Sequence, residues 1–149
     1  MKSQEEIVIR MMELSEKHYN CSQILMVLAL EQDEKVNTDL VRAMSGLADG
    51  CGFFNETCGA MTGAASILAL YAGKGADDQI ESKNLLLMLQ ELGDWFQEEI
   101  GGKFQGTRCR EIAGDLVGTP KAKEICGGVV FQTYNKVNEI LSSYGYITA

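Results

Sequence analysis

Proline occurs once in this chain, at Pro120, and that scarcity constrains the fold more than any other feature. Proline breaks helix interiors, and sheets are usually punctuated by turn residues. A chain nearly free of proline, with few Asn-Gly or Asp-Gly pairs and no alternating apolar pattern, points to helices throughout. The expectation is an all-α fold: one domain over residues 1–149, an orthogonal or bundle-like array of about five to seven helices.

Apolar spacing and capping residues place those helices. Ser3 and Glu6 form a capping box for a first helix reaching Lys17, with Ile7, Met11 and Leu14 as its stripe. Asn20 caps a second helix, with Gln23 in the reciprocal position and Ile24, Leu25, Leu28 and Ala29 inward. A short helix spans Asn37 to Ser45. After the glycine-rich stretch Gly46 to Asn55, Thr57 caps a helix from Cys58 to about Tyr71, full of small residues and expected to be central. A long helix is expected from Asp77 to Glu99, with Leu85, Leu86, Met88, Leu89, Leu92, Trp95 and Phe96 on its core face and Gly101-Gly102 as its stop. A short helix starts near Gly106-Thr107 and carries Cys109. The last runs from Lys121 to Ser143, with Val129, Val130, Tyr134, Val137, Ile140 and Leu141 inward.

The formal net charge is -8. With no basic run, nucleic acid is not an expected partner. The longest apolar stretch, Ala60 to Ala72, is shorter than the roughly 20 residues that span a bilayer, so no membrane is expected. No apolar leader follows Met1, so the cytoplasm is the expected location. Homo-oligomerisation stays open.

The chain has five cysteines. In a reducing compartment a disulfide framework is disfavoured, which leaves metal ligation, redox chemistry or plain burial. Cys21, Cys58 and Cys126 fall at or near expected helix starts, and Cys109 close behind one. Free backbone amides and the positive helix end should favour thiolate there. Gly59, Gly127 and Gly128 leave room for a cluster or substrate to approach the backbone. Arg108 and Arg110 flank Cys109 with positive charge. Any one of these cysteines alone reads as a small buried hydrophobe. No Cys-x-x-Cys is present, so neither a thioredoxin-like motif nor a zinc ribbon is encoded. A shared site would have to come from tertiary packing.

Four segments together carry a family resemblance. They are Asn20-Cys21-Ser22-Gln23, Cys58-Gly59-Ala60-Met61-Thr62-Gly63-Ala64, Cys109-Arg110-Glu111, and Cys126. From Asn20 to about Leu141 the chain resembles the C_GCAxxG_C_C family of redox-active proteins. That family is itself similar to the cysteine-bearing region of split-Soret cytochrome c, where an iron–sulfur centre accompanies haem. The resemblance implies Cys21, Cys58, Cys109 and Cys126 as one site, with Gly59 and Gly63 beside the cofactor. It implies an iron–sulfur cluster on four thiolates, with zinc as the other metal such a set would take, and an unidentified redox partner protein. Covalent haem is not expected, because there is no Cys-x-x-Cys-His. Cys51 stands where the family tends to have glycine and reads as an incidental small residue, with a fifth redox thiol or an alternative ligand as its other readings.

Two further readings stay open. Pairs of the same cysteines could cycle between dithiol and disulfide, or the chain could be a helical interaction module with buried cysteines. His18, the only histidine, reads as a residue favoured at a helix C-terminus. The acidic pairs Glu5-Glu6, Asp77-Asp78 and Glu98-Glu99 read as solvated helix ends, and the methionines, Met12 included, as core.

Overall fold

The computed structural model describes residues 2–148. Among these the chain is helical and contains no strand; its one β-feature is an isolated antiparallel bridge between Thr57 and Arg108. The helices are α1 (Gln4–Glu16), α2 (Cys21–Gln32), α3 (Thr38–Met44), α4 (Gly59–Ala72), α5 (Asn84–Trp95), α6 (Gly102–Phe104), α7 (Cys109–Ala113) and α8 (Pro120–Ser143).

Local rules set most of the starts. The Ser3 hydroxyl accepts from the Glu6 amide, and the Glu6 carboxylate accepts from the Ser3 amide, closing the expected box. The Gln23 side chain reaches back to the Asn20 amide at 3.1 Å. Asn37 accepts from the Leu40 amide and caps α3. Pro120 is the first residue of α8, where its missing N–H costs nothing, and Thr119 caps it.

α4 is the central helix, packed against α2, α5 and α8. Its small residues explain the closeness of α2. A Cβ on Gly63 would lie 3.1 Å from the Ser22 Cα and 3.3 Å from the Ser22 carbonyl oxygen. Only a residue without a side chain lets the backbone of α2 come so near. Around this axis Leu25, Ala60, Ala64, Leu68, Met88, Leu92, Val137, Ile140 and Leu141 are fully buried. The larger aliphatic side chains among them contribute roughly 1.5–3 kcal/mol each in removal from water. The Ser22 hydroxyl, also fully buried, donates to the Met44 carbonyl at 2.7 Å and ties α3 down onto α2.

The expected helix over Asp77–Glu99 begins only at Asn84. Residues 77–83 are a loop held by local bonds that compete with a helix: Gln79 Oε1 accepts from the Gly75 amide, and the Ser82 amide donates to the Ala72 carbonyl. Ile80 is 92% exposed, so no burial favours a helical stripe here. Leu86 likewise points to solvent rather than core, as does Met12, while Leu89 and Trp95 are half-buried. Gly101-Gly102 does not stop the chain. Past Trp95 the helix widens into a π-helical stretch over Phe96–Gly101 and runs on through α6 to a left-handed Gln105. The returning chain packs closely at Gly101: a Cβ there would lie 3.2 Å from the Thr107 Cγ2.

Candidate functional site

Cys21 is the first residue of α2, Cys58 the N-cap of α4, and Cys109 the first residue of α7. Cys126 lies in the second turn of α8 and not at its start. The bridge between Thr57 and Arg108 joins two of these helix starts. Both of its hydrogen bonds are donated by the cysteines themselves: the Cys58 amide to the Thr107 carbonyl at 2.8 Å, and the Cys109 amide to the Glu56 carbonyl at 3.0 Å. Packing of α7 against α8 brings Cys109 towards Cys126.

Glycines bring the remaining parts together. A Cβ on Gly59 would lie 2.6 Å from the Cys21 Sγ, so the Cys21 thiol rests on the backbone directly after Cys58. A Cβ on Gly50 would meet the Cys109 Cβ at 2.9 Å and the Glu56 carbonyl oxygen at 2.8 Å. Gly50 also has a φ of 57°, a left-handed conformation that glycine adopts freely. Gly59 and Gly63 therefore act first as packing glycines. Gly127 and Gly128 have open space where a Cβ would be.

The thiols are graded in depth. Cys58 is buried, Cys21, Cys109 and Cys126 are half-buried, and Cys51 is exposed. Their electrostatics reverse the expectation that helix starts would favour thiolate. Burial, then the neighbouring Cys21, Cys126 and Cys109, push the Cys58 thiol up to about 12 against one favourable Ala60 amide. Burial, Cys126, Asp49 and Cys21 push Cys109 up to about 11. Burial, Cys21 and Asp49 do the same to Cys126, also to about 11. Cys21 is raised chiefly by burial, although the backbone amides of Asp49 and Ser22 oppose it. Burial is the leading cause at all four, and repulsion from neighbouring thiols or from Asp49 adds to it, outweighing the favourable helix-start amides. The guanidinium groups of Arg108 and Arg110 stand on exposed residues, and the formal charge acting on these thiols is the anionic one of Asp49.

The four thiols thus influence one another from one end of α4. Among the described residues, however, no three His, Cys, Asp or Glu side chains are gathered closely enough to hold a metal ion. His18 lies past the end of α1, exposed, with a φ of 68°, and serves to turn the chain. Asp49 was not singled out by the sequence. Its one signal was the Asp49-Gly50 pair, a left-handed turn signature inside a glycine-rich stretch.

Fold and cysteine placement together describe a class: a helical domain with four cysteines carried at or near the starts of four separate helices. The model of the family described as "Putative redox-active protein (C_GCAxxG_C_C)" matches residues 19–140. The chain belongs to that family. No curated protein and no solved structure is matched by the chain. Among the described residues no helix is long and apolar enough to cross a membrane.

Proposed function

We propose that Cys21, Cys58, Cys109 and Cys126 work as one redox site, holding an iron–sulfur cluster and passing electrons to a partner protein in the cytoplasm. What supports this reading is where packing puts the cysteines: the Cys21 sulfur rests on the backbone at Gly59, directly after Cys58, and the bridge ties the Cys58 and Cys109 helix starts to one another. Four like groups sharing a partly dry site cannot all ionise unless positive charge is added among them or sulfur–sulfur bonds remove them. Thiolates are the soft donors that iron–sulfur clusters and zinc take. In kind, then, the residues fit such a group. In spacing they stand open, so insertion of the group and closing of the ligand set would go together. A bound cluster supplies one-electron transfer. The chain's own part is to exclude water through the buried Cys58 end, to fix two ligand positions through the bridge, and to keep backbone clear at Gly59.

A dithiol–disulfide couple is the second reading, favoured by the same open spacing, because it needs only two thiols at a time. Two thiols would form one sulfur–sulfur bond, and two electrons and two protons would pass to an acceptor disulfide, which becomes a dithiol.

Anaerobic purification with iron, sulfide and zinc analysis tests the first reading. The expected result is a brown protein with visible absorption that Cys58→Ser loses. Colourless, iron-free protein that also fails anaerobic reconstitution overturns it. Zinc alone turns the site into a structural one. If no metal is found, mass-mapped disulfides among the four cysteines after mild oxidation support the couple.

A further inference from the structure

At Gly59 the sulfur of one cysteine rests on the main chain directly beside another cysteine. The Cys21 Sγ lies 2.6 Å from the point that a Gly59 Cβ would occupy, which puts it within about 4 Å of the Gly59 Cα. The Cys58 Cα is one residue, about 3.8 Å, further on. Other pairs lack such a seat. In the bridge, Thr57 faces Arg108 while the hydrogen bonds come from their neighbours, so Cys58 stands opposite Thr107 and Cys109 opposite Glu56. Cys58 and Cys109 are therefore diagonal neighbours, roughly 7–8 Å apart, whereas a disulfide spans Cα atoms about 4.4–6.8 Å apart. Their pinned amides keep them from closing that gap. After Cys126, the space where Gly127 and Gly128 would carry a Cβ is open, with no sulfur in it. Before Cys51, Gly50 meets the Cβ of Cys109 and not its sulfur.

We propose that Cys21 and Cys58 are the dithiol–disulfide couple of this chain, with Gly59 as the seat that holds the Cys21 sulfur next to its partner. This rests on the dithiol–disulfide reading and needs no metal. Cys21, half-buried, is the thiol reached from outside, and Cys58, buried, is the one behind it. The Cys21 thiolate attacks one sulfur of a low-molecular-weight disulfide such as oxidised glutathione and releases one glutathione thiol. Cys58 then attacks the Cys21 sulfur of the mixed disulfide. The second glutathione leaves, taking up the proton that Cys58 gives up, and the Cys21–Cys58 bond closes. The protein loses two electrons and two protons, and the glutathione disulfide gains them.

For the test, the full chain, reduced and metal-free, is incubated with oxidised glutathione in mildly alkaline buffer, since burial raises both thiols. Samples are quenched over time with acid, free thiols are blocked, and disulfides are mapped by mass spectrometry without reduction. Cys21–Cys58 is expected as the first and dominant disulfide within the protein. In Gly59→Ala, whose methyl group takes the Cys21 seat, that bond should form at least about tenfold more slowly. Exposed Cys51 takes up glutathione in the same samples and should do so at the wild-type rate. A folded Gly59 variant that closes the bond as fast as wild type overturns the seat. If that variant does not fold, the wild-type map alone decides. Another pairing formed first, Cys51–Cys109 or Cys109–Cys126 among them, overturns the proposal and leaves a dithiol couple standing. A native chain that forms no internal disulfide, where the urea-unfolded chain does, removes the dithiol reading, and this proposal with it.

Discussion

At the scale of single residues, the site is made by what glycines leave out. Gly59→Ala would drive a methyl group into the Cys21 sulfur. It should destabilise the fold by roughly 1–3 kcal/mol, as overpacking does, measured by chemical denaturation. Gly63→Ala, against the α2 backbone at Ser22, should cost a similar amount without touching a thiol. A Gly59 variant that loses its redox signal while the Gly63 variant keeps it would separate the site from the packing. Away from the site, Glu31 is the residue with the clearest pH signature. Burial opposes its charge, but Arg10, with contacts down to 2.6 Å, and Lys2 at 2.8 Å hold its carboxyl below the usual carboxylate range. A lowered folded pKa contributes stability above the unfolded value of about 4.3. That contribution is lost as pH falls from there through the folded value. Glu31→Gln should therefore cost about 1 kcal/mol at neutral pH and nothing in strong acid, seen as converging denaturation midpoints as pH is lowered. None of the glycine contacts was legible in the sequence, which marks Gly59 as small but cannot say that its neighbour is the Cys21 sulfur.

At the scale of elements, caps and apolar stripes were readable because they act over three or four residues. The Ser3–Glu6 box and the α8 stripe from Val129 to Leu141 lie as the spacing predicts. Ser3→Ala should lower stability by about 1 kcal/mol, measured by thermal unfolding, with the site unaffected. The elements that were misread are those settled by distant contacts. Residues 77–83 have no partner to bury Ile80 against, so helical composition goes unrewarded. The helix runs on through Gly101, where a Cβ would come within 3.2 Å of the returning Thr107 methyl group. Cys58 was expected inside a helix capped by Thr57. Instead Cys58 is the N-cap, one residue further on, and its own amide is given to the Thr107 carbonyl across the bridge between Thr57 and Arg108. That pairing joins segments about fifty residues apart, and no local pattern announces it.

At the scale of the whole molecule, the all-α architecture followed from proline scarcity and periodicity, whereas the meeting of four helices at one end of α4 did not. Sequence spacing places each cysteine on its element; only packing gives the elements a common end. The depth grading has a direct chemical consequence. With one buried and three half-buried thiols, all pushed up from the ordinary cysteine range, and an exposed Cys51, limited alkylation of the metal-free protein near neutral pH should modify Cys51 first. The other four should follow only on unfolding or well into alkaline pH, as peptide mapping by mass spectrometry would read. Rapid labelling of Cys58 in the native state would contradict the burial that pushes its thiol up to about 12.

The bridge has one more consequence. Because Cys58 and Cys109 are pinned through their amides, their location does not depend on what their side chains are doing. Sulfur at these two positions can be lost, oxidised, metallated or exchanged for oxygen while the main chain keeps its course. The scaffold behaves as a socket whose contacts are replaceable parts. Serine variants at 58 and 109 should therefore superimpose on the parent backbone, and a lineage could revise the chemistry of this pair without rebuilding the fold that carries it.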